Sequence, residues 1–184
     1  MNVKGTAIIS TLKFLELNYS SDQLKSVMNK LSKSDRDILS EKLFPSVWYP
    51  FNTLINLTRL IDSDLGTGDL TLARKIGKFS ADHDLKSIYK LFYKIGSPQF
   101  VISRASQVFA TYYDIGRLET IDKGKGFMLL CLRNFPELDE IFLQRVSGWM
   151  EKTLELSGAV NPQVYTTIKE EHGKKIVEFK GAWK

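Results

Sequence analysis

The chain has a single cysteine, Cys131, and only two histidines, His83 and His172, in 184 residues. One thiol excludes an internal disulfide and suits a reducing compartment. The flanking Leu129, Leu130 and Leu132 predict that this thiol is buried and unreactive. So few donors, with no C-x-x-C or H-E-x-x-H spacing, argue against a zinc centre. His83 lies between Asp82 and Asp84, but successive residues of a helix point to different faces, so the triplet is not a ligand set. Long apolar runs are missing too. Nothing approaches the roughly 18 residues of a spanning helix, and no transmembrane segment is expected. The short apolar stretch near the start is interrupted by Lys13, Glu16 and Asn18. It does not read as a secretory signal, and a cytoplasmic location is expected. There is no G-x-S-x-G, no Walker loop and no Rossmann glycine pattern. The glycines of 66–68 and 124–126 lack the strand and helix such loops need. Carboxylates are plentiful, yet spacing alone cannot pick out a general acid. Neither an enzyme nor a bound cofactor or metal is expected.

What is present is a sizeable apolar fraction, 43%, with 26% charged residues. That supports one domain over 1–184 with a core of its own. The formal net charge is +5. Its one local concentration is Lys169, Lys174, Lys175, Lys180 and Lys184 near the end, read as a solvated face. Nucleic acid is disfavoured because acidic residues are interspersed among the other basic ones.

Apolar residues recur at helical spacing through the first half. Ile8, Leu12, Leu15 and Tyr19 mark a first helix. Ser20 and Gln23 form a capping box before a second, with Leu24, Val27, Met28 and Leu31 on one face. A short third helix begins near Ser34. The segment 43–51 holds two prolines and four aromatics and is expected to lie against the body of the protein. The helix behind it turns Phe51, Leu54, Ile55, Thr58, Ile61 and Leu65 inward. A long stripe from Leu70 to Ile95 follows, carrying Ala73, Gly77 and Ala81. These small residues would admit another helix at close range, in the same chain or in a second copy. Ser97-Pro98 caps a further helix with Val101, Ala105, Val108, Tyr112 and Ile115 inward.

The period then changes. Residues 117–122 and 127–133 read as a hairpin, 136–157 as a helix, and 164–169 with 176–183 as a second hairpin turning at His172-Gly173. The run Phe127–Leu132 is apolar on both faces, which predicts a strand covered on both sides. The fold class is therefore α+β: a helical N-terminal half, then a ββαββ unit forming a four-stranded antiparallel sheet.

Two aromatic groups are candidates for lining a pocket. One is Trp48 with Tyr49; the other is Phe109, Tyr112 and Tyr113, with Asp114 and Arg117 placed to pair across a helix end. Phe92, from the long stripe, completes the candidate set Trp48, Tyr49, Phe92, Phe109, Tyr112, Tyr113 and Arg117.

The ordered set Trp48-Tyr49-Pro50, Gly68-Asp69, Gly77, Ala81, Leu85, Tyr89, Gly96-Ser97-Pro98 and Tyr112-Tyr113-Asp114-x-Gly116-Arg117 resembles a bacterial family found as multiple paralogues in gliding and predatory bacteria. The closing hairpin, with Gly173, Phe179 and Trp183, is similar to the end of 4-vinyl reductase-type ligand-binding domains. Those share a fold with heme nitric-oxide-binding domains and with Golgi transport-particle subunits. The resemblance implies helices followed by a four-stranded sheet, with an apolar cavity between them. Two departures matter. Val177 stands where many 4-vinyl reductase-type domains have a cysteine, and no Tyr-x-Ser-x-Arg occurs. Heme is therefore disfavoured, and no catalytic residue is carried over.

Together these point to a non-enzymatic ligand-binding or sensory module, holding a small apolar or amphipathic molecule between helices and sheet. The alternative is a protein-interaction adaptor without a small ligand, with the small-residue face of the long helix as a candidate homodimer contact.

Overall fold

In the computed structural model, residues 1–87 and 97–184 are described. The helical half holds α1 (Gly5–Asn18), α2 (Ser21–Lys30), α3 (Lys33–Ser40), α4 (Phe51–Leu65), α5 (Thr71–Ser87), α6 (Pro98–Ser103) and α7 (Ala105–Tyr112). A short ribbon pairs β1 (Asn2–Lys4) with β2 (Trp48–Pro50). The second half is β3 (Arg117–Gly124), β4 (Phe127–Arg133), α8 (Glu140–Leu156), β5 (Gln163–Glu171) and β6 (Lys174–Ala182). Its four strands form an antiparallel sheet in the order β3-β4-β6-β5. This is the α+β arrangement that the change of period predicts.

Local chemistry sets the boundaries. The Ser20 hydroxyl accepts the Gln23 N–H while the Gln23 side chain accepts the Ser20 N–H. This satisfies two donors that the start of α2 would otherwise leave bare. Ser97 caps α6 with Pro98 in its first turn. Asp62, almost fully buried, accepts the N–H groups of Leu70, Leu72 and Ala73, each at 3.0 Å. A carboxylate from α4 thus supplies the cap of α5. At the β5–β6 turn His172 and Gly173 both have positive φ, 51° and 73°, the conformation of a tight two-residue hairpin. The helix foreseen as continuous from 98 to 115 is broken at Arg104 and ends at Tyr112. The stretch 88–96, which holds the end of the long stripe and Phe92, lies outside the described residues.

The inner face of the sheet carries Leu118, Met128, Leu130, Leu132, Val164, Val177 and Phe179, all buried under the helices. Among the described residues no helix lies on the other face, yet Cys131 is buried there, as its apolar neighbours predict. Cys131 sits there among Glu119, Arg133, Lys169 and Glu178. Arg133 pairs with Glu119 and Glu171, and Lys169 pairs with Glu178 at 2.7 Å. Long charged side chains can cover apolar strand surface with their stems while their heads stay wet. That is how an all-apolar strand tolerates a one-sided sheet.

The segment 43–51 meets its expectation in part, with Phe51 buried and Leu43 and Tyr49 packed on the core. Phe44, Val47 and Trp48 are exposed. The backbone pairing of β1 with β2 holds the segment, so its rings need not be buried to fix it. The Lys4 ammonium lies 3.8 Å from the centre of the Trp48 ring, a contact that suits a ring kept in solvent.

The small-residue face of α5 is occupied from within the chain. Ala73, Gly77 and Ala81 are buried, and α8 crosses them. A Cβ on Gly77 would stand 2.0 Å from the Arg145 carbonyl oxygen; one on Gly148 would stand 2.1 Å from that of Arg74. The two backbones touch at a reciprocal pair of glycines. The close approach that these small residues admit is thus made within the chain, by α8.

A cavity between the helices and the sheet

The helices do not fill the space above the inner face of the sheet. A cavity of about 100 Å³ remains. Its floor is Leu118, Met128 and Leu130; its walls include Ile102 from α6, Ala105, Val108 and Phe109 from α7, and Val146, Met150 and Leu154 from α8. An apolar hollow of roughly 150 Å³ can hold benzene, so the scale is that of a small molecule.

One side of the cavity is polar. Asp84 from α5 and Arg145 from α8 both line it and are both buried. Asp84 accepts the Tyr112 hydroxyl at 2.9 Å and lies 3.2 Å from His83 Nδ1. Arg145 donates through Nη2 to the Ala7 carbonyl at 2.9 Å and to Ser80 Oγ at 3.1 Å. Ser10 in turn donates to Ser80 at 2.9 Å. Burial raises the Asp84 carboxyl to about 6, against the opposing effects of His83, Tyr112 and Arg145. Burial likewise pushes the Tyr113 hydroxyl to about 12 and draws the Arg145 guanidinium down, although an arginine keeps its proton at any ordinary pH.

The Asp84 shift has a defined sign. Its pKa is higher in the folded state than its ordinary 3.8, so the folded protein holds this proton more tightly. The contribution is fully present below about pH 4 and is lost as pH rises through about 6. At roughly 1.4 kcal/mol per unit, stability falls by up to about 3 kcal/mol across that window. In Asp84→Asn the fall is absent. Urea unfolding of both proteins between pH 4.5 and 7.5 checks this, and parallel curves would refute it.

The candidate residues are divided by the structure. Phe109, Tyr112 and Tyr113 all contribute to the cavity lining. Tyr113 also packs with Phe51, Phe109, Phe135 and Phe142, at ring-centre distances of 4.7 to 6.2 Å. Trp48 and Tyr49 lie instead on the β1–β2 ribbon, where the Tyr49 hydroxyl accepts the Phe44 N–H. Arg117 is exposed at the start of β3 and faces Glu119 at 3.6 Å. Its foreseen partner Asp114 binds Asn2 instead, accepting its backbone and side-chain N–H groups at 2.7 Å each. The i, i+3 argument fails because the helix stops before both residues. Phe92 lies outside the described residues.

Asp84 and Arg145 were not singled out from sequence, yet each leaves a signal there. Asp84 is three residues after Ala81 on an inward stripe. Arg145 stands three after Phe142 and four before Trp149, inside the apolar face of α8.

No protein-family model matches the chain, and no curated protein matches it. Its fold is that of H-NOX domains. An Fe(II) unliganded H-NOX protein from K. algicida superposes with a TM-score of 0.71 at 13% identity, covering 98% of this chain and 96% of that one. An oxygen-binding H-NOX domain related to soluble guanylate cyclases gives 0.70 at 12% identity, covering 98% and 95%. The expected kinship with heme nitric-oxide-binding domains therefore holds at the level of fold.

Heme does not fit the described residues. Heme iron needs an axial His, Cys, Met or Tyr. His172 is in the β5–β6 turn, and Cys131 is on the outer face of the sheet. His83 stacks on Phe79, with ring centres 6.0 Å apart, and is not part of the cavity lining. Tyr112 is engaged by Asp84, and burial keeps Tyr113 protonated. Among the described residues of the lining, the other donors are the thioethers of Met128 and Met150 in an otherwise apolar wall. The buried Arg145 lines the same cavity.

Proposed function

We propose that this chain is a non-catalytic sensory or regulatory module that binds a small apolar or amphipathic molecule between α5, α7, α8 and the sheet. One observation carries this reading: the apolar cavity sits where the helical half meets the sheet, with a fixed polar group at one side. Ligand sites are generally concave, mostly apolar and equipped with a few placed polar groups. One fold neighbour is an oxygen-binding domain, which supports a ligand role for this architecture. Occupancy would act on the contact between the two halves, since α7 and α8 both border the hollow. The single buried Cys131 suits a reducing compartment, and the cytoplasm is the location we propose.

Toluene is a suitable neutral probe. The wild-type protein is expected to take it up, seen as a rise in thermal midpoint and by titration calorimetry. Val108→Phe extends a ring from α7 into the space; it should keep or raise stability and weaken toluene by about ten-fold or more, the loss of roughly 1.4 kcal/mol of burial. A wild-type protein that ignores toluene, or a Val108→Phe variant that binds it equally well, would remove the basis of the proposal.

A further inference from the structure

We infer that the ligand of this cavity is a small apolar carboxylate, held by Arg145 Nη1 and Trp149 Nε1. The inference rests on the binding role proposed above and specifies its chemistry. Among the described residues, three buried side-chain polar atoms lack a hydrogen-bond partner: Arg145 Nη1, Trp149 Nε1 and Ser147 Oγ. The first two belong to residues that line the cavity. They are four residues apart on α8 and so share one face of the helix. Both are donors, and neither can accept.

Native proteins rarely leave buried donors bare, and each such group calls for an explanation. Arg145 is only 3% exposed, so it cannot turn its free nitrogen to water. Its other terminal nitrogen is fixed by Ala7 and Ser80, which holds the guanidinium in place. Asp84, the carboxylate of the same wall, is already engaged by Tyr112 and His83. A purely hydrocarbon ligand would leave both donors unsatisfied. A carboxylate brings two acceptor oxygens and a charge that suits arginine, and bonds of that kind are about twice as strong as neutral ones. The rest of the lining, with Val108, Met150 and Leu154 in it, requires the remainder of the molecule to be apolar. The size of the hollow limits it to a ring or a short branched chain.

Benzoate against toluene isolates the head group, because the ring is common to both. Calorimetry on the full chain should show benzoate binding about ten-fold tighter than toluene. Trp149→Phe keeps the ring that packs edge-on to Tyr112 and removes only the N–H; it should weaken benzoate several-fold and leave toluene unchanged. Arg145→Met should abolish the preference for benzoate altogether. If that variant does not fold, Trp149→Phe decides. Toluene binding with no preference for benzoate overturns this inference and leaves the cavity as a binding site. So does an unchanged preference in Trp149→Phe. Binding of neither probe overturns the cavity reading itself, and the carboxylate with it.

Discussion

Gly77→Val is expected to destabilise this protein by more than about 3 kcal/mol, and even Gly77→Ala by about 2 kcal/mol. Helix propensity alone predicts the opposite sign for alanine, a gain of about 1 kcal/mol. The crossing of α5 and α8 reverses it. The added Cβ would stand 2.0 Å from the Arg145 carbonyl oxygen and 3.1 Å from the Arg145 Cα. Those atoms are backbone, so no rotamer change relieves the contact, and the helices must part. Parting them loosens every apolar contact along the crossing, and dispersion falls steeply with small gaps. Gly148→Ala should behave likewise, since its Cβ would meet the Arg74 carbonyl oxygen at 2.1 Å. Urea midpoints at neutral pH test both. A Gly77→Ala protein as stable as the wild type would mean that α5 and α8 do not touch at these glycines.

This crossing shows what was legible in the sequence and what was not. The stripe Ala73, Gly77, Ala81 announced a close helix approach. It did not announce the partner, because an approaching helix from a second copy satisfies the same pattern. Gly148 inside the stripe of α8 is the matching half, and only the topology joins the two. Hairpins and helices were readable because period 2 and period 3.6 differ over a few residues. The cover of the outer face of β4 was legible but not its nature: Leu129 and Cys131 are apolar, and Cys131 is closed over by charged residues of β3, β4, β5 and β6. Aromatic content overstated the burial of Trp48, since a ring beside Lys4 is settled by the ribbon and not by a core. In the site, the tyrosine-rich end of α7 was visible as a group. The buried charges were not, because one carboxylate or guanidinium in a stripe reads as the edge of a face until neighbours close over it.

The second large effect is expected at Glu151. Glu151→Ala should cost about 3–5 kcal/mol, the range for removing one partner of a buried ion pair. Glu151 is 2% exposed. It accepts from Arg74 Nε at 3.2 Å, from the Val164 N–H at 2.9 Å and pairs with Lys78 at 3.0 Å. Arg74 extends the link to the Val164 carbonyl at 2.6 Å and to Gln144. One carboxylate therefore ties α5, α8 and the start of β5 together, beside the glycine crossing. Alanine would leave the Val164 N–H bare and the Arg74 charge half-buried without its counter-ion. Burial by itself would raise the Glu151 carboxyl, but Arg74, the Val164 N–H and Lys78 outweigh it and hold the group below its ordinary 4.5. A depressed carboxylate contributes its stability above the unfolded value, and that contribution is lost as pH falls through the lower folded value. Wild type should thus weaken on acidification below about pH 4.5, while Glu151→Gln starts less stable and loses less. This acid arm runs opposite to that of Asp84, so the two groups together favour mildly acidic solution, where Glu151 is still charged and Asp84 still holds its proton. Pairing Glu151→Ala with Arg74→Met separates the ion pair from packing: the double variant should be less destabilised than the sum of the singles. Strict additivity would show that the carboxylate acts through the Val164 N–H and Lys78 and not through Arg74.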